Sequence, residues 1–408
     1  MIDSGDTAWI LVSSALVMLM TPGLALFYGG MVRKKNIVST MMMSFSILGV
    51  IGILWVLYGY SLAFGHDVGG VIGGMDFLGL KNVGQEPSVT YAATVPQLAF
   101  MMFQGMFAII TVALWTGAIV ERIKFGSVLV IAVAWFTLIY LPITHWVWGG
   151  GWLARLGALD FAGGTVVHIS AGASALAMAI LLGQRKGYKS DPMEAGNIPM
   201  IALGAALLWF GWFGFNAGSA LTSGGLAASA FVSTNTAGAA AGVTWMCLGW
   251  LHRRPTLSGT VTGAVVGLAA VTPAAGFITP LAAIPIGIGA AAVSYYGMVV
   301  RNQSRLDESL DVFACHGLGG TWGMLATGIF ATLAVNAAGA NGLFAGNGML
   351  VVKQLVAIGA VWAFAFGGTF GIVRVVQTAM GLRVSKTEEN LGLDISQHGE
   401  RAYGGILQ

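Results

Sequence analysis

The sequence predicts an all-α polytopic membrane protein: eleven transmembrane helices, arranged as two inverted five-helix repeats plus a final long helix. Three observations point there. Of the 408 residues, 56% are hydrophobic and only 9% charged, whereas a soluble globular chain carries about a quarter charged residues. Apolar stretches long enough to cross a bilayer, about 20 residues each, recur along the whole chain. The basic residues gather on alternate connections between those stretches, as they do in multi-pass proteins.

In chain order, the spans fall at about 8–31, 37–64, 93–118, 125–143, 162–183, 197–220, 226–251, 257–275, 279–300, 311–334 and 348–380. The first is read as a retained span, because "MIDSGDTAW" carries two aspartates and none of the Lys or Arg of a cleavable leader. Pro22-Gly23 and Pro273 are places where a helix would kink or unwind. The longer connections, about 65–92 and 144–161, are rich in Gly, Trp and Asp. Residues 1–380 form the membrane domain, with repeats over about 8–183 and 197–334 and the eleventh helix over about 348–380. Residues 381–408 form a polar tail. Of the 19 Lys and Arg residues, 16 lie on one side of this layout, Arg253 among them, and only Lys81, Arg155 and Lys353 on the other. The positive-inside rule then puts the N-terminus outside and the C-terminus and tail in the cytoplasm.

Several function classes drop out. A formal charge of +3 is too small to point to nucleic acid. Cys247 and Cys315 both fall inside apolar spans and are read as free thiols rather than a disulfide. No GxxxxGK[ST] loop is present, so ATP hydrolysis within the chain is excluded, and the tail is too short for a catalytic domain. The protein is read as no enzyme, with no cofactor. Haem held by two intramembrane histidines is a third class; no further histidine is placed to form a second site, and a Soret band would test it.

The candidate chemistry lies in spans five and ten, where "DFAGGTVVHIS" and "DVFACHGLGG" bring His168 and His316 into apolar sequence. Asp160 precedes His168 by eight residues and Asp311 precedes His316 by five, each opening its span. Spans one and six echo each other in "TPGLALFYGG" and "WFGFNAGSA". Two halves of five spans must be inverted, because five is odd, and inverted repeats place the working site between the halves. The bland reading of each histidine is a packing residue bonded to a backbone carbonyl. Two in equivalent places favour a pair: neutral imidazoles can bond in series and hold or relay a proton without a fixed charge. A cation that sheds its proton could cross such a path as a neutral molecule, avoiding a desolvation cost of tens of kcal/mol.

Aromatic residues cluster towards the predicted outer side: Phe103 and Phe107 in "FQGMF", Trp146, Trp148 and Trp152 in "THWVWGGGW", and Trp209, Phe210, Trp212, Phe213 and Phe215 before Ser219 in "WFGWFGFNAGS". An interfacial belt explains most of them. Trp148, Phe107 and Ser219 also suit capture of a cation, by ring faces and a hydroxyl acceptor. Asp160 is read both as the N-cap of span five and as a buried anion near the entry; Asp311 is read as a cap. His66, His145, His252 and His398 fall in loops or the tail and are read as solvated or structural.

Collinear motifs over nearly the whole chain resemble the ammonium transporter (Amt/Mep/Rh) family, in its bacterial and archaeal Amt branch. They are "PGLALFYGGMVRKKN", "FQGMFAIITVALWTGAIVERIKF", "HWVWGGGWLARLGALDFAGGTVVHI", "WFGWFGFNAGSA", "TPAAGF", "DVFACHGLGG" and "GLRVSKTEENLGLDISQHGERAY". The resemblance, not the composition, implies ammonium as substrate, with methylammonium as analogue. It implies an external recruitment site at Trp148, Phe107 and Ser219, with Phe103 close by and Asp160 required nearby. It further implies a gate of Phe107 and Phe215, a pore centre at His168 and His316, and Trp212 lining the pore. It implies a homotrimer in the lipid bilayer, one path per subunit, and an ordered tail that supports regulation by a PII-type signal protein. A receptor of the same fold with little flux is the alternative; such receptors are expected to carry a further signalling domain, which these 408 residues do not contain.

Overall fold

The structure, a computed structural model, describes residues 1–252 and 254–404. Arg253, counted above among the basic residues of one side, and the last four residues of the tail lie outside the described residues. The long helices are α1 Ser4–Met31, α2 Lys34–Phe64, α3 Gln97–Ala118, α4 125–147, α5 Gly164–Leu182, α6 Ile198–Ala217, α7 Gly225–His252, α8 Leu257–Val271, α9 Ala283–Gln303, α10 313–330 and α11 Met349–Met380. Among the described residues, eight have the length and hydropathy to cross a bilayer: α1 to α6, α9 and α11. The others, α7, α8 and α10, lie where spans seven, eight and ten were expected. Two short helices, α12 Lys386–Leu391 and α13 Leu393–His398, fold within the tail. The chain is a helical multi-pass membrane protein.

Local chemistry sets the helix ends. The Asp3 carboxylate accepts from the Asp6 amide at 2.9 Å and starts α1. The Asn197 side chain accepts from the Met200 amide at 2.8 Å and starts α6, and Ser385 with Glu388 forms a capping box on α12. α8 stops at Val271, two residues before Pro273, which cannot continue it. Pro22 lies inside α1, which continues through it as one helix. Among the described residues, five helices contain a π turn: α2 at Trp55–Gly59, α4 at Phe136–Tyr140, α5 at Gly164–Ile169, α6 at Phe213–Ala217 and α10 at Phe313–Leu318. Such turns gather at functional sites, and those of α5, α6 and α10 carry His168, Phe215 and His316.

The boundaries differ from expectation where loops take up structure. Span three begins at Gln97 rather than about 93, because Ala92–Pro96 forms a strand, β4, paired with β3 Pro87–Ser88. β1 Asp67–Val68 and β2 Ile72–Gly73 make a second hairpin, and a short helix, Trp152–Leu156, follows α4. α4 runs to 147 instead of about 143, so His145, expected in a loop, is helical and fully buried. α9 begins at Ala283 rather than about 279, after Pro280, and α10 ends at Phe330 rather than about 334. The hairpins mark one end of the molecule, and the basic connections and tail mark the other.

Small residues let the central helices touch. A Cβ on Gly172 of α5 would lie 2.2 Å from the Gly317 amide nitrogen of α10, and one on Gly320 would lie 2.8 Å from the His168 Cβ. With lipid on one side and helix on the other, such close crossings supply the packing that apolar burial cannot. They bring together the histidine-bearing turns, which are the first turns of α5 and α10. At the basic end the tail folds back on the first connection: the Leu393 amide donates to Asn36 Oδ1 at 2.8 Å, and the Ser39 amide to Asp394 Oδ1 at 2.8 Å.

Candidate functional site

His168 and His316 meet with their Nδ1 atoms 3.2 Å apart, both rings buried. Among the described residues, neither makes a hydrogen bond to a backbone carbonyl. An Nδ1-to-Nδ1 hydrogen bond between neutral rings needs one donor and one acceptor. One imidazole is then the Nδ1–H tautomer with a bare Nε2, and its partner carries its proton on Nε2. Whichever ring is which, the pair offers one donor and one acceptor. His168 Nε2 has no protein partner. The His168 ring stacks on Trp212 at 5.7 Å and on Phe215 at 6.2 Å between centroids. Trp212 Nε1 is tied off by donating to Thr272 Oγ1 at 3.0 Å.

The pair faces a slender cavity of about 10 Å³, between Leu24, Phe27, Ile110, Leu114, Leu208, Trp212 and Val265. That is about the room one water-sized molecule needs. Its walls are apolar apart from the imidazoles. Phe215 closes it towards the hairpin end, packed on Phe107 at 4.2 Å between centroids, and both rings are only 1% exposed. On the far side of this phenyl wall lies an open vestibule of about 280 Å³, lined by Phe107, Trp148, Ser219, Tyr91, Gln104 and Phe161, among others. Three predicted residues from three different helices or loops, Phe107, Trp148 and Ser219, therefore share one vestibule. Phe103 packs edge-on behind Phe107 at 5.0 Å and does not line it.

Each vestibule residue is held for a reason. Trp148 Nε1 donates to the Asp160 carbonyl at 2.9 Å, and its ring stands perpendicular to Phe107 at 5.7 Å. Ser219 Oγ donates to the Phe215 carbonyl at 2.8 Å, which uses its proton and leaves its lone pairs free to accept. Sequence reasoning missed Gln104, whose buried Oε1 has no protein partner. The signal was there: it is the polar residue in the quoted "FQGMF". Tyr91 gave no such signal, since only the β3–β4 hairpin brings it in.

The Asp160 carboxylate is fully engaged at the start of α5. It accepts from the amides of Gly163 at 2.8 Å, Gly164 at 2.6 Å and Thr165 at 2.7 Å, and from the Thr165 hydroxyl. The cap is thus visible in the geometry, and the carboxylate does not line the vestibule. Its counterpart on α10 is not Asp311, as expected, but Glu308. Glu308 stands eight residues before His316, as Asp160 does before His168. It is fully buried and accepts from the Val312 and Phe313 amides at 3.1 and 3.3 Å. Asp311 instead pairs with Arg301 at 2.7 Å. Burial, then the Asp311 charge, pushes the Glu308 carboxyl up to about 7. Nearby, burial pushes Glu121 up, but Arg185 and Arg33 outweigh it and bring its carboxyl down to about 2.

Residues 8–403 match the Ammonium Transporter Family. The chain is 52% identical to an ammonium transporter of Bacillus subtilis over 98% of each chain. It is 50% identical to ammonium transporter Amt1 of Archaeoglobus fulgidus, over 98% of this chain and all of that one. In structure it is similar to Saccharomyces cerevisiae Mep2, with a TM-score of 0.91 at 36% identity, covering 98% and 92% of the two chains. A protein titled "Sensor Amt Protein" superposes with a TM-score of 0.89 at 27% identity, covering 97% and 98%. A buried histidine pair behind a phenyl wall, in a helical membrane protein with these relatives, leads to one assignment: the chain belongs to the ammonium transporter family.

Proposed function

We propose that the protein recruits NH4+ in the vestibule at the hairpin end, where the cation gives its proton to external water or to a separate proton route, and conducts NH3 past His168 and His316. The observation that carries this reading is the histidine pair in a cavity sized for one small molecule, shut off by Phe107 and Phe215. Moving a bare cation into such walls costs tens of kcal/mol, while each aromatic face returns about 0.5–2 kcal/mol. The vestibule can therefore hold the cation, with Trp148 and Phe107 offering ring faces and Ser219 an acceptor, but the cavity behind cannot. Ammonia passes as a neutral solute, its lone pair taking the imidazole N–H and its hydrogens the bare imidazole nitrogen. Asp160 serves by fixing the start of α5 and, through its carbonyl, Trp148.

On this reading the hairpin end is external and the basic end cytoplasmic. The five-helix halves 8–183 and 197–334 are inverted repeats, consistent with the eight-residue spacing of both caps from their histidines. Assembly as a homotrimer, and docking of a PII-type protein on the tail and basic connections, follow from family membership as part of the same proposal. The test is ammonium-driven flux into proteoliposomes. His168→Ala with His316→Ala should lower it at least roughly tenfold, since a passing solute loses polar partners worth about 1–3 kcal/mol; undiminished flux would reject the histidine role. Similarity to a sensor protein supports a second reading, a receptor with little flux. Tight ammonium binding without uptake or current would select it.

A further inference from the structure

His145 lies one turn before Trp148 and is fully buried, yet it belongs to neither the cavity nor the vestibule. Its two ring nitrogens both face acceptors. Nδ1 lies 2.8 Å from the Ala63 carbonyl oxygen at the end of α2, and Nε2 lies 2.9 Å from Asp67 Oδ1 in β1. A carbonyl can only accept. Asp67 meets donors on every side: His145, Arg155 Nη2 at 2.5 Å, and the Gly70 amide at 2.9 and 3.1 Å. The His145 hydrogen bond, and after it Arg155, hold its carboxyl below the usual carboxylate range. An ionised carboxylate accepts only, so both imidazole nitrogens must donate, and the ring is an imidazolium.

This clamp holds what comes next in the chain. The His145 carbonyl accepts from the Gly149 and Gly151 amides at 3.1 and 2.9 Å, and the Trp152 amide donates to Gly70 of the same hairpin at 3.0 Å. A Cβ on Gly149 would lie 2.4 Å from His145 Nδ1, so the turn after Trp148 rests directly on the ring. We infer that His145 is the positioning residue of the vestibule: an imidazolium clamped between the Ala63 carbonyl and the Asp67 carboxylate that sets the Trp148 ring where an incoming cation meets it. The inference rests on the recruitment reading of the vestibule given above. The charged and titratable groups facing the clamp are Asp67 from β1, Arg155 behind it from the short helix, and the Tyr91 phenol, which donates to the Phe64 and Gly149 carbonyls.

Methylammonium uptake by the full chain in proteoliposomes tests this, with KM expressed on the protonated amine. His145→Gln cannot donate at both positions, and Asp67→Asn, outside the helices, removes the anion without touching the core. Both should raise KM roughly 5- to 10-fold, the loss of one well-placed contact, with maximal rate within about twofold. Trp148→Leu is the reference. If it raises KM while both clamp variants leave KM unmoved, the clamp is wrong and recruitment stands. If Trp148→Leu leaves KM unchanged, the recruitment reading falls and takes the clamp with it. A drop in maximal rate at constant KM marks a merely structural role and overturns the inference. Should His145→Gln not fold, Asp67→Asn decides.

Discussion

His168 and His316 touch through like nitrogens, which forces unlike tautomers on two chemically identical side chains. The direction of that asymmetry is free to flip, so a solute with one lone pair and three hydrogens finds partners either way. Ser219 does comparable work in the vestibule by spending its proton on the Phe215 carbonyl. Ser219→Ala removes one acceptor for a cation. Hydrogen bonds to charged groups contribute about 1.5–3 kcal/mol when buried, and less in an open vestibule. We expect KM for methylammonium to rise roughly threefold to tenfold with little change in maximal rate, measured by uptake. Ser219→Thr, which keeps the hydroxyl, should restore most of the affinity.

Helix α10 joins three devices in a short stretch: a carboxylate cap, a π turn and a glycine crossing. Glu308 caps it from a buried position, with its carboxyl at about 7 instead of its ordinary 4.5. The sign follows from linkage: between those values the folded protein holds a proton that the unfolded chain has released, so stability falls as pH rises through that window. In detergent, the wild-type Tm should drop from about pH 5 to about pH 7.5 more steeply than that of Glu308→Gln; parallel curves would show that Glu308 does not titrate there. The crossing is tested by Gly172→Val. Its Cβ has only the Gly317 backbone to move, at 2.2 Å, and such overpacking costs about 1–3 kcal/mol. Lower Tm and lost flux should appear together. Gly359→Ala on α11 is the control: nothing lies within 4 Å of its Cβ, and an alanine there should be neutral or slightly stabilising.

Across the molecule, the two ends are built differently. The hairpin end is open, with a vestibule; the basic end is laced by buried ion pairs that reach from the connections to the tail. Glu389, almost fully buried, accepts from the Lys186 amide at 2.6 Å and pairs with Arg383 at 2.8 Å. Lys35 Nζ donates to the Glu389 and Asn390 carbonyls at 2.9 and 2.7 Å. Glu389→Ala removes the acceptor of the Lys186 amide and the partner of Arg383, and should release the tail. We expect faster limited proteolysis after Gly381 and faster amide exchange in α12 and α13, with flux of the isolated protein changed less than twofold to threefold. Any regulation through the tail would then be lost without loss of the pore.

Much of this was legible before any coordinates. Membrane helices depend on composition averaged over some 20 residues, so errors at single positions cancel and the spans fell close to the helices found. The histidines stood out because a polar ring in an apolar run has few innocuous explanations. Asp311 looks like the counterpart of Asp160 because both are aspartates that open a span; the spacing of eight residues, available in the sequence, points to Glu308. His145 looks like a loop residue from the sequence because α4 passes a π turn and Pro142 before it ends. The chain's own order of residues thus determined that it lies in a membrane, which segments cross, and which side chains are too polar to be there by accident. The tertiary structure alone decided that the imidazoles meet nitrogen to nitrogen, that Phe107 and Phe215 stand between an open vestibule and a small inner cavity, and that His145 is buried between a carbonyl and a carboxylate. Those facts depend on contacts between residues tens to hundreds of positions apart, and helical periodicity carries no record of which distant face a side chain will meet.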